Sequence, residues 1–311
     1  MKPKVYIDGK EGTTGLQIYS RLAARSDIEL LLIDEAKRKD TEERKKLMNA
    51  ADLVFLCLPD AAAVDAVALV ENPETKIIDA STAHRTASGW AYGFPELSPT
   101  RKDAIRNSKR IANPGCHATG FISVVYPLIA AGVLSKDALL SCFSLTGYSG
   151  GGKKMIAQYE APDRNPLLSS PGVYGLTQAH KHSPEMQTVC GLNSPPVFCP
   201  IVDDYYKGMA TTVPFHRSQL SGVLTLEKVR ELYAVHYDGS EVVSVAEEVP
   251  NLIYGAAASG RDTLSIVVAG NDERFTVTAL FDNLGKGASG AAVQNMNLAL
   301  GFPETAGLNL H

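Results

Sequence analysis

Over its first 116 residues the chain alternates short apolar runs with longer segments that are apolar on one side only. KVYIDG (4–9) reads as a strand, residues 16–25 as a helix, IELLLID (28–34) as a second strand and residues 40–49 as a polar helix. DLVFLCLP (52–59) is a continuous apolar run of the kind that fills a parallel sheet buried on both faces. AAAVDAVALV (61–70) then reads as a helix, KIIDAS (76–81) as a strand and KRIANPG (109–115) as the last strand. Neighbouring parallel strands need a crossover between them, and a helix supplies it. The rhythm therefore predicts βαβ units and an α/β fold built on a doubly wound parallel sheet.

Beyond Cys116 the rhythm changes. Residues 117–131 read as a helix bent at Pro127, and longer strand-like runs follow at 139–149, 198–216, 264–270 and 274–281. Asn271, Asp272 and Glu273 predict a hairpin turn between the last two. A helix over 225–238 and a final helix over 288–300, stopped by Gly301 with Pro303 beyond it, complete the pattern. These elements predict a second α/β domain with a mixed, mostly antiparallel sheet.

Charge and composition exclude several classes of partner. Lys and Arg number 30 against 34 Asp and Glu, a formal charge of −4 over 311 residues, whereas nucleic acid or an anionic membrane calls for a basic footprint. The longest apolar stretch, 121–133, carries Ser123 and Pro127 and is too short to span a bilayer. Cys57, Cys116, Cys142, Cys190 and Cys199 form an odd set with no CxxC pair, which reads as reduced thiols. The first strand begins almost at Met1, leaving no room for a signal or transit peptide, so a cytoplasmic location is expected.

The turn between the first strand and the first helix reads GKEGTTG, with Gly9, Gly12 and Gly15 in GxxGxxG spacing. Glycines there let the backbone approach a pyrophosphate seated on the positive end of the helix, and Thr13 and Thr14 add hydroxyls, which predicts a dinucleotide site. Asp34, closing the second strand, suits the 2′-hydroxyl of NAD, while Lys37, Arg38 and Lys39 suit the 2′-phosphate of NADP. The residues by themselves leave both open.

Asn113-Pro114-Gly115-Cys116-His117 falls where a strand gives way to a helix. A thiol at that point feels the positive end of the helix and its first amides, which favour the nucleophilic thiolate. The run His180-Lys181-His182-Ser183-Pro184-Glu185 offers two candidate acid–base imidazoles, a lysine for a phosphate or carboxylate, and a carboxylate to orient a ring or hold substrate. HxH supplies only two metal ligands with no cysteine pair to complete a zinc site, so no metal is expected. Residues 79–85, DASTAHR, carry Ser81 and place Arg85 near the carboxyl edge of the sheet, where a guanidinium suits an anionic group. Ser149 and Gly150 open a second glycine-rich turn, SGGGKK, able to wrap an anion or the nicotinamide end of a cofactor.

With these residues assembled, the chain resembles the N-acetyl-gamma-glutamyl-phosphate reductases, in their shorter form, nearly end to end. The resemblance rests on GxxGxxG at 9–15, NPGC at 113–116, HKHSPE at 180–185 and, most specifically, DNLGKGASGAAVQNMNLALGF at 282–302. It implies a Rossmann-type NADP-binding domain over 1–116, completed by 287–311, and a domain over 117–286 for substrate and oligomerisation. It also implies NADP as cofactor and a homotetramer. Cys116 takes the nucleophile's place and His182 that of the acid–base, with His180 as the substitute. Asn283, Lys286 and Gly287 approach the nicotinamide or the active centre. Ser81 and Gly150 fall to the cofactor, and Arg85, Asn113, Ser149, Lys181 and Glu185 to the substrate. The adenosine-side loop, DEAKRKD at 34–40, departs from the Ser/Arg pattern of the longer form.

The reaction so implied reduces a small-molecule acyl phosphate, N-acetyl-L-glutamyl 5-phosphate, to its semialdehyde through a thioester on Cys116, a step of arginine biosynthesis. The related aspartate-semialdehyde dehydrogenases perform the same chemistry on a shorter substrate and are the first alternative. A non-catalytic NADPH sensor is the second. A cysteine hydrolase leaves the glycine loop unexplained.

Overall fold

The computed structural model of the chain describes residues 2–222 and 225–311; Met1, at the head of the first expected domain, and residues 223–224 of the second lie outside the described residues. Two compact units emerge, Met1–Pro114 with Ala288–Leu308, and Gly115–Gly287 with Asn309–His311. The division falls just before Cys116, because the amide of Gly115 donates to Glu185 of the second unit (2.9 Å) and Cys116 opens a helix there. The last three residues group with the second unit as well, since the Asn309 amide donates to Asp262 Oδ2 (2.8 Å) and its side chain to the Gly260 carbonyl (2.7 Å).

The first unit is built from β1 (Lys4–Asp8), α1 (Thr13–Ala23), β2 (Glu29–Leu31), α2 (Thr41–Ala50), β3 (Leu53–Leu56), α3 (Asp60–Ala68), β4 (Lys76–Asp79), β5 (Ala91–Tyr92), α4 (Pro99–Asn107) and β6 (Arg110–Ala112). Its six strands run in the order β2-β1-β3-β4-β6-β5, and every neighbouring pair is parallel. The strand order reverses between β1 and β3, the kind of crevice in which open α/β sheets take ligands. β3 is buried at each position, as its apolar run requires. The run 28–34 yields only the short β2, because Asp34 turns away to cap a 3-10 turn, Glu35–Lys37, accepting from the Ala36 amide at 3.0 Å. α4 and β5 were absent from the expected pattern; Ser98 caps α4 by accepting from the Arg101 amide, with Pro99 in its first position.

The second unit comprises α5 (Cys116–Ala130), β7 (Ser141–Gly147), α6 (Gly152–Glu160), β8 (Gly172–Val173), α7 (Ser183–Cys190), β9 (Val197–Asp203), β10 (Met209–His216), α8 (Leu226–His236), β11 (Val243–Val245), β12 (Leu264–Gly270) and β13 (Arg274–Phe281). Its seven-stranded sheet runs β11-β12-β13-β10-β7-β9-β8, with β7–β9 and β11–β12 parallel and the other pairs antiparallel. The run 198–216, expected as one long strand, is two: it breaks at 204–208, and β7 inserts between β9 and β10. The β12–β13 hairpin does turn at Asn271, whose side chain accepts from the amides of Glu273 and Arg274 at 3.0 Å. α5 is buried along nearly all its length against the sheet. Pro127 inside it has no amide to give the Ser123 carbonyl, and the hydroxyl of Tyr237 donates to that oxygen instead, at 2.6 Å.

After β13 the chain winds through a π-helical turn, Gly285–Ser289, into α9 (Gly290–Leu300), which ends at Gly301 in the left-handed region. α9 belongs to the core of the first unit, where Val293 and Met296 pack with Val5, Ile18 and Phe55. The side-chain NH2 groups of its buried asparagines are paired: Asn295 Nδ2 donates to the Gly93 carbonyl (2.9 Å) and to Asn113 Oδ1 (3.0 Å), and Asn297 Nδ2 to two carbonyls of the C-terminal turn, while Asn295 Oδ1 is buried without a partner among the described residues.

Candidate active site

In the first unit the glycine loop lies at the β1/β3 crevice. Gly9 has φ +83°, and a Cβ there would stand 2.4 Å from the Cys57 carbonyl oxygen just beyond β3; a Cβ on Gly15 would stand 2.4 Å from the Gly9 carbonyl. Both positions therefore exclude a side chain. Gly12 is the N-cap of α1 and offers no side-chain cap, the first turn carries no acidic residue, and Thr13 and Thr14 open the helix. This is a backbone cradle suited to a phosphate. At the adenosine side Asp34, Lys37 and Arg38 are all exposed. Asp34 spends one oxygen on the Ala36 amide, and Arg38 and Lys10 each lie 3.8 Å from the exposed Glu35 carboxylate. Ser81 is committed to the buried Asp79, to which its hydroxyl donates at 2.6 Å and to which His84 Nδ1 also lies at 2.6 Å.

In the second unit Cys116 occupies the first position of α5, after the N-cap Gly115, with no side-chain cap and no acid in the first turn. Gly287 abuts it: a Cβ on that glycine would lie 3.0 Å from the Cβ of Cys116. The first amides of α5 and the positive end of the helix thus face a partly exposed thiol. Of the other cysteines, Cys142 and Cys190 are buried, while Cys57 and Cys199 are partly exposed like Cys116. Burial, with the charges of Asp79 and Asp8, pushes the Cys57 thiol up to about 12, and burial raises that of Cys142 further.

Three imidazoles cluster at His117, the residue after Cys116. His117 lies with its ring centroid 5.6 Å from that of His180 and 5.7 Å from that of His182, and the last two are 4.9 Å apart. His180 Nδ1 accepts the amide of His182 at 3.2 Å; burial and the neighbouring Lys181 charge lower its pKa to about 4. With Nδ1 accepting, neutral His180 carries its proton on Nε2 and is a donor at neutral pH. His182 is buried at the N-cap of α7, and Lys181 is exposed. Buried Glu185, in the first turn of α7, holds the start of α5 through the Gly115 amide.

Several residues expected to touch substrate or cofactor are occupied within their own units. The buried side-chain amide of Asn113 donates to the Ala288 carbonyl (3.0 Å) and accepts from Asn295. Arg85 donates to the carbonyls of Asn113 (3.0 Å) and Ala80 (3.1 Å), bracing the ends of β4 and β6. Ser149 Oγ accepts from Asn283 Nδ2 at 3.0 Å, Asn283 Oδ1 accepts the Gly208 amide at 2.8 Å, and Gly150 packs against the same side chain. Lys286 is fully buried in the π-helical turn. Sequence reasoning did not single out His117, Ser144 or Tyr174, which the structure joins: His117 Nδ1 lies 2.7 Å from Ser144 Oγ and its Nε2 2.6 Å from Tyr174 Oη. His117 was visible as the neighbour of Cys116, but no motif marks Tyr174, which arrives from the end of the edge strand β8.

The chain is similar to known proteins along nearly its whole length. Residues 116–283 match the family model described as semialdehyde dehydrogenase, dimerisation domain, and residues 32–105 match semialdehyde dehydrogenase, NAD binding domain. An N-acetyl-gamma-glutamyl-phosphate reductase of Nostoc sp. is 46% identical over 320 residues, 99% of each chain. One from Pseudomonas putida is 44% identical over 316 residues, 98% of this chain and 99% of that one. Among solved structures, aspartate semialdehyde dehydrogenase II of Vibrio cholerae superposes with a TM-score of 0.73 over 96% of this chain and 99% of its own, at 17% identity, a likeness of fold alone. The chain thus belongs to the semialdehyde dehydrogenase family, on the N-acetyl-gamma-glutamyl-phosphate reductase branch of it.

Proposed function

We propose that this protein is an NADPH-dependent reductase converting N-acetyl-L-glutamyl 5-phosphate to N-acetyl-L-glutamate 5-semialdehyde, a cytoplasmic step of arginine biosynthesis. The observation that carries the reading is the seat of Cys116 on the uncapped first turn of α5, followed at once by His117, whose ring packs with those of His180 and His182. Full-length relatives bearing the reductase name support the choice of substrate.

The glycine cradle of 9–15, with Thr13 and Thr14, would hold the pyrophosphate of NADPH, and Lys37, Arg38 and Lys10 its 2′-phosphate. The bound cofactor supplies a hydride to the acyl carbon. The protein's own part begins with the thiol. His182 takes the proton of Cys116, and the thiolate attacks the acyl carbon, forming a C–S bond as the C–O bond to phosphate breaks. The same imidazole returns its proton to the departing phosphate. Lys181 meets the anionic substrate, and neutral His180 donates from Nε2. After reduction the tetrahedral oxyanion rests on the first amides of α5 and collapses to aldehyde and thiolate. Glu185 and Gly287 hold the cysteine in place from two sides.

The reading includes a homo-oligomer, with a tetramer as its assembly. One face of the second unit's sheet supports it: Phe143 (46% exposed) and Val197 (55%) stand on that face beside Leu145, Cys199 and Ile201, all partly exposed. The test of the function is a phosphate-dependent NADP reduction assay comparing N-acetylglutamate 5-semialdehyde with aspartate semialdehyde. Turnover on the acetylated aldehyde at least ~100-fold above the other is expected, the scale of discrimination that polar recognition supplies. Preference for aspartate semialdehyde would overturn the assignment.

A further inference from the structure

His117 is a buried histidine that the mechanism above does not use. Its Nδ1 lies 2.7 Å from Ser144 Oγ and its Nε2 lies 2.6 Å from Tyr174 Oη, while Ser144 Oγ lies 2.8 Å from Thr211 Oγ1. The four side chains form one chain of hydrogen bonds, Thr211–Ser144–His117–Tyr174. His117, Ser144 and Thr211 are 3% exposed or less, so the chain is shielded from water at its inner end. Its outer end, Tyr174, is hydrogen-bonded to the residue next to Cys116, and the Tyr174 ring centroid lies 6.0 Å from that of His180.

Burial, with His180 and Lys181 nearby, lowers the His117 pKa to about 3, so the ring is neutral when the enzyme works. A neutral imidazole has one N–H and one bare nitrogen, and the chain can therefore run in only two directions. In one, Tyr174 donates to Nε2 and turns a lone pair outward. In the other, Thr211 donates to Ser144, Ser144 to Nδ1, and Nε2–H to Tyr174, which leaves the phenolic proton free to point outward. Burial and the Cys116 charge raise the Tyr174 pKa above its usual value, which keeps that proton on the oxygen. A negative sulfur or oxyanion beside Tyr174 selects the second direction, since a lone pair turned toward negative charge is repelled.

We propose that Tyr174 is a catalytic hydrogen-bond donor to the negative charge that forms at Cys116, and that His117, Ser144 and Thr211 are positioning residues that aim its proton. This rests on the thioester reading above. The two arrangements hold the same number of protons: they differ by rotation of the three hydroxyls and by the tautomer of His117, whose proton sits on Nδ1 in the first and on Nε2 in the second. The role resembles an oxyanion donor held ready by packing rather than recruited from solvent.

The test reads the thiol itself. The pH dependence of iodoacetamide alkylation at the Cys116 peptide, followed by mass spectrometry, reports its ionisation whatever the true substrate is. Tyr174→Phe is expected to raise the alkylation midpoint by about one pH unit, the scale of a hydrogen bond to a charged group. It should lower kcat on the order of 10²-fold, the usual cost of losing one such donor, with KM little changed. Ser144→Ala is expected to move both quantities the same way, and to add nothing in the Tyr174→Phe background. His117→Gln, whose amide N–H replaces Nε2–H, should restore most of what His117→Phe loses. A wild-type alkylation midpoint and kcat in Tyr174→Phe would overturn the proposal, as would additive effects of Ser144→Ala and Tyr174→Phe. Loss of turnover on every acyl phosphate with the alkylation shifts intact would count instead against the proposed substrate.

Discussion

Residues 116 and 117 are neighbours in sequence with opposite electrostatic settings. Cys116 faces helix amides that stabilise an anion, and His117 points into a buried site that forbids a cation. The second setting has a thermodynamic consequence. His117 and His180 have folded-state pKa values lowered to about 3 and about 4 from an ordinary 6.5, mainly by burial. Between those limits the unfolded chain binds more protons than the folded one, so stability falls as pH drops below 6.5 and is complete above it. Each histidine contributes a slope of up to ~1.4 kcal/mol per pH unit in that window. Urea denaturation at pH 7 and pH 5 is expected to show a smaller loss for His117→Gln, which cannot titrate, than for the parent protein. Equal losses would show that His117 is not held neutral.

At the scale of elements, α5 carries the nucleophile at one end and a proline near the other. Pro127 leaves the Ser123 carbonyl without its helical donor, and Tyr237, at the end of α8, fills that place. Tyr237→Phe therefore orphans a buried carbonyl and should cost about 1–3 kcal/mol in urea denaturation, with Cys116 alkylation unchanged. Much of this level was legible in sequence. Alternation of apolar runs with amphipathic ones disclosed the parallel sheet; Gly9 and Cys116 were marked by their place at strand-to-helix turns, and the HKH run by its two imidazoles, lysine and glutamate within six residues. What escaped had a physical cause. β2 stops early because Asp34 is drawn into capping the next turn, a local competition that β-propensity does not register. β9 and β10 read as one strand because 204–208 carries two tyrosines among its polar residues, and only sheet order reveals that β7 lies between them. Asn113 and Arg85, expected to touch substrate, also brace the chain around them, donating to the carbonyls of Ala288, Asn113 and Ala80, a second role that no sequence motif discloses.

For the whole molecule, the second unit's sheet presents alternating residues to opposite sides. Cys142, Ser144 and Phe198 face the core, while Phe143, Cys199 and Val197 form an apolar face. No helix among the described residues is long and apolar enough to cross a membrane. A second copy of the chain is the proposed cover for that face. Phe143→Asp is expected to lower the molar mass measured by light scattering, with the monomer's secondary structure retained; an unchanged mass would remove this face from the assembly. The proposed chemistry then turns on a covalent bond. Mixing the enzyme with N-acetylglutamyl phosphate without reductant, quenching in acid and measuring intact mass should show one acyl group added per chain, on the Cys116 peptide. Reduction of the same substrate at ordinary rate by Cys116→Ser, with no adduct on the parent enzyme, would contradict a thioester route.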